Sequence, residues 1–79
     1  MVTEPTPNIL PTQHALDRMA ERLIGQADVQ RCIATGVIVA NDRKGNPIYK
    51  CAFHDGRSIS VVVAKESSPN PGFIVITVW

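Results

Sequence analysis

The chain reads as an α+β domain: two N-terminal helices packed on one face of a four-stranded, mainly antiparallel sheet. Three observations predict this. The apolar residues recur at helical spacing up to Gly36 and at a period of two from Val37 onward. The four later apolar runs are rich in Val and Ile, the residues that fit a pleated surface. The links between those runs are short, which favours antiparallel neighbours over crossovers.

Residues 1–11 carry Pro5, Pro7 and Pro11 with little hydrophobic periodicity, so they read as a flexible arm outside the core. Residues 12–79 form the single α+β domain. Thr12 is placed to cap the first helix. Leu16, Met19, Ala20 and Leu23 then form its apolar stripe, centred almost opposite His14, Arg18 and Arg22. Gly25 breaks that helix and Gln26 opens a second, with Val29, Cys32 and Ile33 facing inward and Gly36 stopping it at a C′ position.

Four strands follow, over Val37 to Ala40, Ile48 to Phe53, Ile59 to Ala64 and Phe73 to Trp79. The stretches NDRKGNP (Asn41 to Pro47) and KESSPNPG (Lys65 to Gly72) have loop chemistry, and Asp55-Gly56 is a type I′ hairpin signal with both residues at positive φ. Ile59, Val61 and Val63 should share one face. In the last strand Ile74, Ile76 and Val78 make the better core face, which puts Trp79 on the open face of the sheet.

Composition bounds the function. The 79 residues suffice for one core, and 44% hydrophobic with 19% charged residues is a globular balance. A core this small supplies only a few kcal/mol of net stability, so a homodimer or a partner chain is a reasonable expectation. The formal net charge of +1 gives no global pull toward nucleic acid, and any anion binding has to come from a local cluster. No apolar h-region and no membrane-length run is visible, so the chain reads as soluble and cytoplasmic. Cys32 and Cys51, with no CxxC pair, read as reduced and largely buried thiols.

The chemistry-bearing residues are few. His14, Arg18 and Arg22 recur at i, i+4 spacing, where like charges repel by about 0.2–0.5 kcal/mol per pair. Such a ladder is either a solvated face, with Asp17 and Glu21 cancelling part of the charge, or a set of phosphate-binding cations. A third reading has the arginines pinned to carboxylates such as Asp42 or Asp55. His14 and His54 are the two histidines available for acid–base work, and Tyr49 and Lys50 sit together on one strand. Cys51-x2-His54 has ligand-like spacing, but core cysteines explain it better, and no metal is expected. Nothing resembles a phosphate loop, an H-E-x-x-H helix or a nucleophile elbow, and no cofactor is implied.

The order H-x3-R-M-x2-R (His14, Arg18, Met19, Arg22), Ile24, Asp28-Val29, Ile33 to Gly36, VVVA (Val61 to Ala64) and VITVW (Val75 to Trp79) resembles a bacterial domain-of-unknown-function family, number forty-two fifty-eight. Its members look similar in layout to RelE/ParE-type toxins of toxin–antitoxin systems. The resemblance implies a toxin-like domain that acts on or binds RNA, as a metal-independent ribonuclease or a degenerate form of one. It implies catalytic roles for His14, Arg18 and Arg22 and an antitoxin-like protein partner. From their places on the strands and the turn, Tyr49, Lys50, His54 and Trp79 are the further binding candidates, although at His54 a polar residue beside the Asp55-Gly56 turn is ordinary. The chain departs from the family at Ser60, where members often carry His, and at Leu23, where they usually carry Gly. The alternative is a non-catalytic interaction module that docks a protein on its open sheet face.

Overall fold

Thr12 starts the first helix as its residue type predicts. Its hydroxyl accepts from the Ala15 backbone N–H at 3.1 Å and donates to the Ile76 carbonyl at 2.9 Å, so one side chain caps the helix and ties it to the sheet. A computed structural model describes residues 7–52, 56–68 and 71–79. The elements are β1 (Ile9–Pro11), α1 (Gln13–Arg22), α2 (Gln26–Thr35), β2 (Val37–Asn41), β3 (Pro47–Ala52), β4 (Ser58–Val63) and β5 (Phe73–Val78).

The fold is α+β, with a five-stranded mixed sheet in the order β1-β5-β4-β3-β2. The strands from β2 to β5 form the expected antiparallel meander. The fifth strand corrects the expectation of four. Ile9–Pro11, read as part of an arm, runs parallel to β5 with Ile9 opposite Phe73 and Pro11 opposite Val75. Three residues are too few to show a period, and a Pro at an edge gives up no essential donor. Phe73 N–H donates to the Asn8 carbonyl at 2.8 Å and Thr12 N–H to the Val75 carbonyl at 3.0 Å, and Ile9 joins the core. The Gln30 amide of α2 donates to the Pro7 carbonyl at 3.0 Å and holds this segment from the helical side.

Both helices lie on one face of the sheet, α1 over β5 and β1, and α2 over β3 and β4. Ala15, Met19, Ile24, Val29, Cys32 and Ile33 meet Ile59, Val61, Val63, Val75 and Val78 there. Ile59, Val61 and Val63 share that face as expected. Burying one Val or Ile of this set is worth about 1.5–3 kcal/mol.

The α2 stripe of Val29, Cys32 and Ile33 is buried as expected. The α1 stripe is not the predicted one: Ala15 and Met19 are buried, whereas Leu16 and Leu23 are exposed. Ala15 is fully covered, and Leu16, one position on, lies about 100° further round the helix, away from the sheet.

The last strand also differs from expectation. The pairing skips a residue, with Val62 opposite Thr77 but Val63 opposite Val75. This bulge puts both Val75 and Val78 in the core and leaves Ile74 exposed, replacing the regular Ile74, Ile76, Val78 face.

The turns are set by specific groups. Leu23 closes α1 in the left-handed region at φ 57°, and its N–H is held by the Ala20 and Met19 carbonyls. Gly36 follows α2 in an extended conformation (φ −77°, ψ 173°), so it is not the left-handed C′ residue that its position suggested. It is glycine because space is lacking: a Cβ would lie 2.4 Å from the Cys32 carbonyl oxygen and 2.8 Å from that of Lys50. In the β2–β3 loop, Asp42 accepts from the N–H of Lys44 (2.9 Å) and of Asn46 (2.8 Å) and from the Asn46 amide (2.9 Å). The buried Asn46 in turn accepts from Lys65 N–H at 3.0 Å. Gly56 has φ +91°, while Asp55, the other residue of the expected turn, lies outside the described residues. Among the described residues no helix is long and apolar enough to cross a membrane.

Candidate functional site

The basic ladder sits beside the buried stripe of α1 rather than opposite it. His14 and Arg18 immediately precede the buried Ala15 and Met19, a turn of about 100° away on the helix. His14 and Arg22 are exposed, and Arg18 is half-buried. Arg18 pairs with Glu21 on its own helix at 3.3 Å. Arg22 and His14 form no ion pair among the described residues. The idea that an arginine is pinned to Asp42 does not hold, because that carboxylate is taken up by Asn46 and Lys44. Those hydrogen bonds, the Asn46 side chain first, hold the Asp42 pKa below its ordinary value.

One polar atom of the ladder is unmet. The Arg18 Nε is covered from solvent and has no hydrogen-bond partner among the described residues. A buried donor left this way costs on the order of 1–3 kcal/mol.

The other candidate residues are not brought to the ladder. Tyr49 packs against the core from β3, on the helix side of the sheet. Lys50, its neighbour in the strand, therefore points to the opposite face. The register runs Val37, Lys50 and Ser60 across β2, β3 and β4, and Ser60 exchanges backbone hydrogen bonds with Trp79 at 2.7 and 2.9 Å. Trp79 follows the core-facing Val78 and lies on this helix-free face, as expected, with 42% of its surface exposed. His54 lies outside the described residues.

The helix-free face also carries two residues that the sequence did not mark, Leu10 and Val37, and one, Ile74, that it assigned to the core. Leu10 and Ile74 are register partners on β1 and β5, and both are exposed there. Val37 is 65% exposed at the other end of the face. The missing signal was the pairing of β1, which no periodicity reveals.

Among the described residues no group of three or more His, Cys, Asp or Glu gathers as a metal site. Cys32 is fully buried in α2, and Cys51 is half-buried on β3 against the same core. Burial, foremost, and then the neighbouring Cys51 thiol push the Cys32 thiol up to about 12.

Two helices against one face of a mixed sheet, with His14, Arg18 and Arg22 along α1 and a partly apolar helix-free face, define a small α+β domain. The chain belongs to the family described as Domain of unknown function (DUF4258), whose model matches residues 12–79. No curated protein and no solved structure matches the chain.

Proposed function

We propose that the chain is a RelE/ParE-type toxin-like domain that engages RNA through His14, Arg18 and Arg22. The observation that carries this reading is that two of the three ladder residues, His14 and Arg22, are exposed and serve no ion pair among the described residues, beside a half-buried Arg18. Arg22 and His14 are unpaired among the described residues. The exposed Arg18–Glu21 pair is worth only about 0.3–0.5 kcal/mol, so a phosphate can displace Glu21. Arg18 also gains by swinging outward, because its covered Nε would meet an acceptor. Guanidinium groups grip phosphate in bidentate fashion. For strand scission, His14 would take the 2′-hydroxyl proton as the 2′-oxygen bonds to phosphorus, and the bond from phosphorus to the 5′-oxygen would break. The leaving 5′-oxygen would take a proton from the His14 imidazolium or from water, and the arginines would steady the charge that builds on the phosphate oxygens.

Binding and cleavage are tested separately. Single-stranded RNA should bind at low salt, with log K falling against log salt at a slope of about −2 for three phosphate contacts. Cleavage in the presence of a chelator, abolished by His14→Ala, would show catalysis, whereas binding without cleavage would show a degenerate toxin fold. Absence of RNA binding at low salt would defeat the proposal.

A second reading is favoured by a different observation. Leu10, Ile74, Val37 and Trp79 expose apolar surface on the helix-free face. Aromatic anchors of this kind dominate protein interfaces. On this reading the domain docks a protein, an antitoxin-like partner encoded next to it or a second copy of itself. Trp79→Ala should then weaken association while leaving RNA binding unchanged.

A further inference from the structure

The two edges of the sheet are guarded unequally. At one edge β1 is three residues long and ends in Pro11, and both features limit pairing with another chain. At the other edge β2, Val37–Asn41, is five residues long and holds neither a charged residue nor a proline. All five residues are exposed, and Val37, Ile38 and Val39 keep 65%, 53% and 53% of their surface. Apolar surface lies on both sides of this strand. Val37 is on the helix-free face beside Lys50, and Ile38 is on the helix side beside Tyr49, beyond the cover that α2 gives β3 and β4. Among the described residues no strand pairs with the outer edge of β2. An uncharged, apolar edge left open in this way is a template for another strand.

We infer that β2 pairs antiparallel with the β2 of a second copy of this chain, joining two five-stranded sheets into one across a two-fold axis near Val39. Charge selects a second copy over a foreign strand. The strand is uncharged and the chain carries a formal net charge of only +1, so two copies meet without repulsion. Antiparallel pairing about Val39 sets Val37 of one copy opposite Asn41 of the other. It also carries the loop after β2 toward the end of the second copy's α2. That loop presents the exposed Arg43, which forms no ion pair among the described residues. The helix end offers the negative pole of its dipole and has no basic residue in its last turn. Each copy supplies the cation that the other's helix lacks, and the symmetry makes the contact twice. The Asp42 carboxylate does not oppose this, because Lys44 and Asn46 hold it in its own loop. The assembly closes at two, since each copy has one unguarded edge. Five residues a side is well under the roughly 20–30 of a standard interface, so the dimer belongs to the weak, concentration-dependent class. The ladder on α1 lies over β5 and β1, at the far end of the sheet, so this pairing stands apart from the RNA reading.

Sedimentation equilibrium of the full chain, over about a hundredfold range of concentration reaching about 0.5 mM, should show reversible monomer and dimer with nothing larger. Amide hydrogen exchange within Val37–Asn41 should slow as the concentration rises. Val39→Lys puts two like charges at the axis and should weaken the dimer by about tenfold or more. The melting temperature of the dilute protein should not change with it, since Val39 is exposed. Arg43→Glu should weaken the dimer several-fold, and Trp79→Ala should leave it intact. A chain that stays monomeric throughout would overturn the inference, whether or not it takes up an unrelated extended peptide at β2. So would a dimer that survives Val39→Lys or is lost with Trp79→Ala, or growth into larger oligomers, which would bring in β1.

Discussion

Leu23 holds a backbone conformation that L-residues avoid. At φ 57° it bears a left-handed cost of about 1–2 kcal/mol, and with 84% of its surface exposed it recovers little by burial. Leu23→Gly should therefore stabilise the fold by about 0.5–1 kcal/mol after the extra freedom of the unfolded glycine is counted, read as a higher melting temperature. Gly36 is the opposite case, since its φ is ordinary and its need is for space. Gly36→Ala should cost on the order of 1–3 kcal/mol by forcing α2 away from β3. Asp42 makes a pH prediction with a definite sign. Its folded pKa is depressed by hydrogen bonds from Asn46 and Lys44, so its contribution is present above the ordinary carboxylate range and is lost as the pH falls through the folded value. Denaturant titrations should show the wild type losing stability below about pH 4, and Asp42→Asn should have a shallower slope there.

Thr12 decides how the first helix meets the sheet, because its hydroxyl serves Ala15 N–H on one side and the Ile76 carbonyl on the other. Thr12→Ala should cost about 1–2 kcal/mol, at the upper end for a cap, since it strands a sheet carbonyl as well as a helix donor. Thr12→Ser keeps the hydroxyl and should recover most of the loss. The neighbouring strand β1 adds Ile9 to the core beside Phe73. Ile9→Ala should cost at least about 2 kcal/mol, and an arm outside the core would lose nothing. Chemical unfolding of the two variants measures both effects.

The whole molecule presents two unlike surfaces, a basic edge on the helical layer and an apolar stretch on the free face of the sheet. Because Arg22 is exposed, Arg22→Ala should change stability by no more than about 0.5 kcal/mol, and under the proposed RNA-binding role it should reduce RNA affinity several-fold. Arg18→Ala should reduce affinity similarly and cost little in stability, since its unmet Nε is removed with it. Paired melts and RNA titrations separate these effects. Unfolding with unchanged affinity per folded molecule would mean that the arginines serve the fold.

Local chemistry was legible along the chain: the Thr12 cap, the break between the helices, the buried stripe of α2, the four Val- and Ile-rich strands and the shared face of Ile59, Val61 and Val63. Each is decided by residues a few positions apart. Long-range packing set the rest. The pairing of Ile9–Pro11 with β5 joins segments about sixty residues apart in the chain. The bulge that selects Val75 and Val78 depends on the partner strand, and the rotation of α1 that buries Ala15 in place of Leu16 depends on the sheet beneath it. The candidate residues were legible as types, but their separation was not. Neighbours in a strand point to opposite faces, so Tyr49 goes to the core and Lys50 to the free face with Trp79, and only the packed helices show which face is which.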